Sequence, residues 1–507
     1  MATASVARFP VVSSDLACDT CIIGAGIAGL STAYQLAIAG QQVIVMDDGP
    51  IMGGETCRTT AHLVSAIDDR FHEIERIHGE LGLRLAYESH QAAIEEIARI
   101  AAAEAIDCDL VRLDGYLFLG DGDKPASLHK ELAAAHRAGF TDAKLVENPP
   151  QVGRGRRLGT AIRFPRQGQF HVMKYLNGLV RAIEKRGGRI FANSHATKIE
   201  GGTPGTVHLN TGHRIKARSL VVATNTPVND WVEIHTKQMP YRTYAVAGTV
   251  PRGFVAPALY WDTDDPYHYV RLQDAGDPDF EYLIIGGEDH KTGQANDADA
   301  RFAELEAWAQ ERWPFIETFA MRWSGQVMET QDGLGFIGRN PMDAADVYIA
   351  TGDSGMGMTH GTIAGMLLAS LILTGDHVWA RLYDPGRIRL AAAGEFVKEN
   401  LNTAAQYKEY FTGGDIASAS QLQPGEGGII RKGLGKAAFY RDLEGRLHSC
   451  SAVCPHLGGI VQWNSLEKTW DCPAHGSRFA AEDGHVVNGP ANSGLEVRKV
   501  AVEEEAA

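Results

Sequence analysis

Positive charge is scarce in this chain of 507 residues, which has 48 Lys and Arg against 63 Asp and Glu and a formal net charge of -15. Nucleic acids and anionic membrane surfaces repel a chain with that balance, so neither is expected as a partner. The longest apolar run, within 363–373, is shorter than the roughly 20 residues that cross a bilayer. It predicts a buried helix and no membrane span.

A secretory leader is also missing, because residues 1–15 contain one basic residue and no apolar segment. We therefore expect a cytoplasmic protein. Cysteine is rare, with seven residues in the chain, which argues against a disulfide framework. Cys18 and Cys21 have the C-x-x-C spacing of some redox pairs, but they lie in an apolar run and are interpreted as packed strand residues. Cys108 and Cys450 are also predicted to be packed thiols.

The first apolar run of the chain, 18–23, predicts a strand that ends in the pattern G-x-G-x-x-G. Helical spacing follows, and a second predicted strand ends at Asp47. This context is typical of a dinucleotide-binding βαβ unit, with a purely structural turn as the alternative. Gly24 would make the tight turn, Gly26 would admit the pyrophosphate, and Gly29 would let helix and strand pack. Asp47 would bind ribose hydroxyls.

The composition changes near 413–428, a segment poor in large apolar residues that predicts a linker. Beyond it, short β-type runs alternate with Gly, Pro and Asn turns, and no helical pattern is present. These features predict a small all-β domain of about 80 residues.

Two short motifs in this C-terminal region carry the strongest signal of the chain. Cys454 and His456 form a C-x-H loop, and Cys472 and His475 form a C-x-x-H loop. Two thiolates on one iron and two imidazoles on the other are the ligands of a [2Fe-2S] centre whose potential exceeds that of an all-cysteine cluster. Structural zinc accepts the same ligand types and is the alternative, although C-x-H is an unusual spacing for zinc.

The two motifs and their flanking residues resemble the Rieske family over about residues 424–500. The resemblance implies a Rieske-type [2Fe-2S] cluster, with Ser477 hydrogen-bonded to a bridging sulfide. It also implies that the disulfide of high-potential members is absent, because Gly459 and Ala474 stand at its two positions. A tyrosine that often follows the family's G-P-A turn has no counterpart. We therefore predict an intermediate to low potential.

Three further segments resemble the D-amino-acid oxidase, glycine oxidase and sarcosine oxidase family, over about residues 16–385. They are GGETCRTTAH at 53–62, VVATNTPVN at 221–229 and TGDSGMGMTH at 351–360. The resemblance implies bound FAD, and helix-start N–H groups in the third segment would stabilise the reduced flavin. The implied FAD-binding residues are Gly24, Gly26, Gly29, Asp47, Arg58, Thr59, Thr60, Gly355, Met356, Gly357 and Met358. A second G-x-G-x-x-G is missing, so no NAD(P)H site is indicated, and a covalent flavin link through Cys57 is a minor alternative.

The resemblance to this family also implies a class of substrate. Members of the family oxidise a C–N bond by hydride transfer to flavin N5, and the members that act on amino acids hold the carboxylate with an arginine. Val327 or Met328 stands at that position here, which argues against an α-amino acid unless another arginine takes over. The arginines available for this are Arg242, Arg271 and Arg322. The pocket candidates are Tyr241, Arg242, His268 and Arg271, with Tyr267 and Tyr269 beside them, and strand packing is the alternative for each.

The expected fold is α/β, with a Rossmann-like FAD-binding domain interleaved with a mixed-sheet substrate domain, followed by an all-β Rieske domain. The predicted intervals are 16–90, 165–240 and 325–385 for the FAD-binding domain, 91–164 and 241–324 for the substrate domain, 386–423 for a helical connection and linker, and 424–507 for the Rieske domain.

The leading functional hypothesis is an FAD-dependent dehydrogenase of an amine or amino acid. Electrons would pass singly from flavin through the cluster to an external acceptor, such as a quinone, a ferredoxin-like protein or dioxygen. Three alternatives stay open: an oxygen-using amine oxidase with a structural or sensing Rieske domain, a flavoprotein reduced through the Rieske domain, and a non-enzymatic electron-transfer module. A Rieske oxygenase is not expected, because the 32 residues after His475 cannot form its mononuclear iron domain.

Overall fold

The computed structural model describes residues 7–150, 155–229, 233–433 and 435–499, so parts of three predicted domain intervals lie outside the described residues. The first of two large sheets is built on five neighbouring parallel strands, whose apolar residues are buried. In sheet order its strands are Phe336–Arg339, Val347–Thr351, Arg214–Val222, Leu16–Ile23, Val43–Met46 and Arg189–Phe191, and the hairpin of Ala196–Glu200 and Gly205–Leu209 pairs with Arg214–Val222.

The second large sheet has nine strands and is mixed, because one neighbouring pair is parallel and the others are antiparallel. In sheet order its strands are Thr318–Thr330, Gln238–Pro251, Phe280–Lys291, Tyr269–Asp274, Leu259–Asp262, Val111–Phe118, Ala161–Gln169 and His62–Leu63, with Lys144–Val146 paired to Ala161–Gln169. This is the mixed sheet that the sequence predicts for the substrate side.

Helices cover both sheets. The α-helices among the described residues are Ile27–Ile38, Phe71–Ala103, Pro125–Ala138, Val172–Lys185, Ala298–Arg312, Gly357–Thr374, Ala380–Tyr383 and Ala393–Gln406. Single turns of 3-10 helix are Glu55–Arg58, Leu390–Ala392, Tyr407–Phe411 and Ala419–Gln421. In the described part of the chain, Gly357–Thr374 is the one helix long and apolar enough to cross a membrane, and 67% of it is buried inside the protein. It packs against Ile27–Ile38 and Phe71–Ala103, as a core helix does.

The C-terminal domain consists of two antiparallel sheets. One contains Gly427–Lys432, Gly435–Arg441 and Leu447–Ser451, and the other contains Gln462–Asn464, Thr469–Asp471, Arg478–Ala480 and Val486–Asn488. The fully buried side chains of Trp470 and Phe479 are cross-strand partners in its core. Between 427 and 499 the described residues contain no helix, in agreement with the predicted all-β domain.

Several strands differ from the predicted domain intervals. His62–Leu63 lies in the mixed sheet, although the interval 16–90 places it in the FAD-binding domain. Ala161–Gln169, Gln238–Pro251 and Thr318–Thr330 each run across a predicted boundary. The backbone stays extended through all three boundaries, so no turn in the sequence marks the change from one layer to the other.

None of the seven cysteines, all of which lie among the described residues, forms a disulfide. Cys21 is buried in the first strand, where its hydrogen bond with Cys18, together with burial, raises the pKa of its thiol well above the ordinary value. Cys108 and Cys450 are buried as well. Cys57 is half-buried, and its thiol donates to the carbonyl of Gly54 at 3.1 Å. These surroundings agree with the interpretation of Cys18, Cys21, Cys108 and Cys450 as packed thiols.

Candidate active site and cluster site

The glycine motif sits where the first strand meets the first helix. Gly24 has φ +103°, a conformation that L side chains rarely adopt. A Cβ at Gly29 would lie 1.9 Å from the carbonyl oxygen of Gly24, so this residue lets the helix approach the strand. The carboxylate of Asp47 accepts hydrogen bonds from the backbone N–H groups of Ala25 at 2.7 Å and Gly49 at 3.1 Å. The second strand end is thereby fixed beside the helix N-terminus.

A large cavity extends from this motif along the mixed sheet. Of the predicted cofactor residues, Gly24, Gly26, Asp47, Arg58, Thr59, Thr60, Gly355, Met356, Gly357 and Met358 line it. Gly29 does not line the cavity, because it faces the first strand. The turn before helix Gly357–Thr374 has positive φ at Gly352 and Gly355, which brings backbone N–H groups to the cavity edge. The segments chosen by resemblance thus converge on one space that suits a dinucleotide.

Carboxylates form one wall of this cavity. Asp68, Asp289, Glu329 and Asp353 come from four separate segments and all line it. Burial raises the pKa of Asp289 to about 7 and that of Asp353 to about 6, and burial with nearby carboxylates raises the pKa of Glu329. The hydroxyl of Tyr267 donates to Asp68, and that of Thr243 donates to Asp289. Oδ1 of Asp289 has no hydrogen-bond partner among the described residues. Such a wall attracts a cation.

Arg58 is the one arginine among the described residues that line the cavity, and its guanidinium group is paired with Glu467 at 2.5 Å. Val327 lines the cavity, whereas Met328 is buried away from it. The three arginines named as replacements are all engaged elsewhere. Arg242 pairs with Glu467 at 3.2 Å, Arg271 donates to the carbonyl of Thr60, and Arg322 pairs with Glu306 at 2.6 Å.

The four pocket candidates lie outside the cavity lining. Tyr241 faces a second recess, which Asp69 and Glu395 also line. His268 is enclosed by Asp262 at 2.9 Å and Glu288 at 3.2 Å; burial opposes its charge, but these hydrogen bonds raise its pKa to about 9. Arg242 and Arg271 are engaged as described above. Their neighbours Tyr267 and Tyr269, in contrast, do line the cavity.

The two Cys and His motifs form a pair of matching loops. Cys454 N–H donates to the carbonyl of Gly459 at 2.8 Å, and Cys472 N–H donates to that of Ser477 at 2.8 Å. The loops bring the imidazole rings of His456 and His475 to a centroid distance of 5.1 Å. All four predicted ligands are buried.

The surroundings of the loops fit a Rieske cluster. Backbone N–H groups of 456 and 457 point at Cys454 Sγ, those of 474 and 475 point at Cys472 Sγ, and the Ser477 hydroxyl also reaches Cys454. Burial, reinforced by His456, lowers the pKa of His475 to about 4, so its imidazole is neutral, as a metal ligand must be. A Cβ built on Gly459 would lie 3.3 Å from that of Ala474, so these are the neighbouring positions where a disulfide would fit.

The C-terminal domain contributes to the wall of the large cavity. Residues of its last strand and the following turn line the cavity, namely Val486, Val487, Asn488, Gly489, Ala491 and Asn492. The side-chain amide of Gln326, which also lines the cavity, donates to the carbonyl of Gly476 in the second cluster loop at 3.0 Å. One side chain therefore separates the cavity from a cluster loop.

Three residues that the sequence analysis did not single out contact the cluster loops. Tyr407 and Tyr410 donate to the carbonyls of Leu457 and Gly458 at 2.7 and 2.6 Å. His235 contacts both ligand imidazoles. They come from segments far from the motifs in sequence, and no spacing pattern connects them to the cluster.

Comparison with known proteins agrees with both sites. A family model described as FAD dependent oxidoreductase matches residues 19–371, and the Rieske [2Fe-2S] domain model matches 414–500. YhfW, a proposed Rieske 2Fe-2S iron-sulfur protein of Bacillus subtilis (strain 168), is 30% identical over 487 residues, which cover 95% of this chain and 94% of that protein. Gamma-glutamylputrescine oxidoreductase of Escherichia coli (strain K12) is 28% identical over 389 residues, 73% of this chain and 87% of that protein.

Among solved structures, glycine oxidase from Geobacillus kaustophilus has the same fold, with a TM-score of 0.60 at 16% identity over 74% of this chain and 99% of that one. These matches confirm the predicted α/β fold with its C-terminal Rieske domain, and both predicted cofactors, FAD and a [2Fe-2S] cluster. The chain belongs to the family of FAD-dependent oxidoreductases, in a form that carries a Rieske [2Fe-2S] domain at its C-terminal end.

Proposed function

We propose that this oxidoreductase oxidises the C–N bond of a positively charged amine and passes the electrons through the Rieske cluster to an external acceptor. The observation that carries the proposal is the shared cavity. Its walls come from the FAD-binding fold, from a row of carboxylates and from residues 486–492 of the Rieske domain. The proposed substrate and flavin sites therefore share one cavity, and the Rieske domain contributes to its wall.

The residues of this cavity fit FAD. We propose that the glycine turn and Asp47 hold the ADP half, that Arg58, Thr59 and Thr60 lie along the pyrophosphate and flavin edge, and that residues 355–358, at the start of helix Gly357–Thr374, face the flavin ring. When bound, FAD accepts a hydride from the carbon beside the amine nitrogen, and the [2Fe-2S] cluster accepts one electron at a time.

The carboxylate wall supports an amine over an α-amino acid. Asp68, Asp289 and Glu329 provide carboxyl oxygens to which an ammonium group would donate hydrogen bonds, and Val327 has no donor for a substrate carboxylate. Asp289, with its pKa raised to about 7, is suited to take the proton from the reacting ammonium group so that the nitrogen lone pair becomes available. The relative named gamma-glutamylputrescine oxidoreductase supports an amine substrate as well.

The test is an anaerobic titration followed by flavin absorbance and by electron paramagnetic resonance of the cluster. The substrate series is 1,4-diaminobutane, butylamine, 4-aminobutanoate and ornithine. We expect the diamine to bleach the flavin and to produce the signal of the reduced cluster, with ornithine ineffective. Reduction by α-amino acids alone would refute the amine assignment. A bleached flavin beside an oxidised cluster would refute the relay and favour the oxygen-using oxidase.

The identity of the electron acceptor and the location of the protein in the cell are also proposals. A quinone or a ferredoxin-like protein suits single-electron delivery, and peroxide release in air would instead identify dioxygen as the acceptor. A cytoplasmic location stays a prediction.

A further inference from the structure

His235 is buried between the flavin cavity and the cluster loops. It belongs to a short turn just before strand Gln238–Pro251 of the mixed sheet, and its side chain is 3% exposed. Its ring lies edge-to-face against both imidazoles of the predicted cluster ligands. The centroid distance is 4.8 Å to His456 and 6.1 Å to His475. A side chain of the flavin-binding part thus packs against the two groups that would bind the outer iron.

A row of buried polar side chains continues from His235 to the cavity. Nδ1 of His235 lies 3.4 Å from the hydroxyl oxygen of Thr226, which accepts a hydrogen bond from the Gln238 amide at 3.1 Å. The hydroxyl of Thr351 can donate to Oε1 of Gln238 at 3.0 Å or to the carbonyl oxygen of Asn225 at 2.6 Å. Thr351 and Asn225 both line the flavin cavity. The side chains of His235, Thr226, Gln238 and Thr351 are all buried.

We propose that His235 is a positioning residue for the Rieske cluster and joins it to the flavin cavity. Its ring holds His456 and His475 in one orientation, and its hydrogen bond to Thr226 ties that orientation to the cavity wall. The proposal rests on the proposed transfer of electrons from flavin to cluster.

Two physical arguments support this role. Residues that orient metal-binding imidazoles tune the potential of the metal, and their loss costs about 10–100-fold in affinity or activity. Electron tunnelling also weakens steeply across empty space, so a packed ring and a continuous row of hydrogen bonds couple two centres better than a void does. A fully buried hydrogen-bonded row of this kind is costly to leave half-satisfied, so it keeps its geometry.

The test compares the holoprotein with two variants at the site and one control. His235→Ala removes the ring, and His235→Phe keeps a ring but loses the hydrogen bond to Thr226. The control is Asn296→Ala, because Asn296 accepts from Ser465 N–H at 3.0 Å and from its hydroxyl at 2.7 Å in another contact of the same two domains. Three properties are measured. They are the electron paramagnetic resonance spectrum of the dithionite-reduced cluster, the midpoint potential of the cluster in a redox titration, and the rate of cluster reduction after photoreduction of the flavin.

We expect His235→Ala to change the spectrum and the potential and to slow cluster reduction by about tenfold or more. His235→Phe should shift all three in the same direction by less, and Asn296→Ala should match the wild type. If His235→Ala does not retain the cluster, the measurements on His235→Phe test the proposal. A wild-type spectrum, potential and rate in His235→Phe would overturn the proposal, because the ring would then only fill space. If the wild type itself shows no transfer, the proposed function fails, while the spectrum and the potential still decide the role of His235.

Discussion

Glu467 forms ion pairs at the interface between the Rieske domain and the flavin-binding part of the molecule. Its carboxylate pairs with Arg58 at 2.5 Å, Arg242 at 3.2 Å and Arg478 at 2.9 Å. Burial disfavours the charge, but the three guanidinium groups lower the pKa of Glu467 from 4.5 to about 2. Two of these arginines are themselves almost fully buried. Asp471 also lies near both buried arginines, at 3.8 Å from Arg242 and 3.3 Å from Arg478, so Glu467 provides part of the negative charge that balances them inside the interface.

Replacing Glu467 by Gln is expected to lower the free energy of unfolding by about 3 kcal/mol, because Arg242 loses a buried partner. The measurement is denaturant unfolding at pH 7. Since the folded pKa is depressed, the stabilisation is present above about pH 4.5 and is lost as pH falls through about 2. Glu444→Gln is the control, because its ion pair with Arg446 is exposed and contributes less than about 1 kcal/mol. Equal losses in both variants would contradict this account.

Asp289 is expected to control the pH dependence of amine oxidation. Its pKa of about 7 means that the carboxylate able to accept a proton forms as pH rises through 7, so kcat/KM should rise over the same interval. Asp289→Asn should lose this rise and about 100-fold in kcat/KM. The pH profile of each variant is the measurement, with the exposed Asp299→Asn as control. An unchanged profile in Asp289→Asn would exclude the proton-accepting role.

At the scale of elements, the close contact between the first strand and helix Ile27–Ile38 determines FAD binding. Gly29→Ala would place a Cβ 1.9 Å from the carbonyl oxygen of Gly24, so helix and strand must separate. We expect loss of most bound FAD, measured by the ratio of flavin to protein absorbance. Gly394→Ala lies in helix Ala393–Gln406 with nothing within 4 Å, and it should retain FAD fully. Full FAD content in Gly29→Ala would refute the packing role.

Elements with local signals could be predicted from the sequence, and elements made by distant segments could not. The first βαβ unit, the buried helix around 363–373 and the two cluster loops each have their pattern within a few dozen residues. His62–Leu63 is too short for any periodicity, and it joins the mixed sheet through pairing with Ala161–Gln169. The carboxylate wall was missed for the same reason, because Asp68, Asp289 and Glu329 meet only after the sheet has formed.

For the whole molecule, the cluster should be needed for electron delivery and not for substrate oxidation. His456→Ala is expected to lose the cluster signal and at least about 100-fold of turnover with a one-electron acceptor. The substrate should still bleach the flavin in a single anaerobic turnover. Cys450→Ser is the control, because this buried thiol is not a predicted ligand and should leave the cluster signal intact. Undiminished turnover in His456→Ala would mean that electrons leave the flavin by another route.

The contribution of residues 486–492 to the wall of the flavin cavity has a consequence for the retention of FAD. Because these residues line the cavity, the docked Rieske domain would cover part of a bound dinucleotide. The ion pairs of Glu467 and the contact between His195 and Asn492 at 3.1 Å hold that domain in place, so we expect them to slow the release of FAD. The interface between the Rieske domain and the flavin-binding part is thereby expected to slow the exchange of FAD.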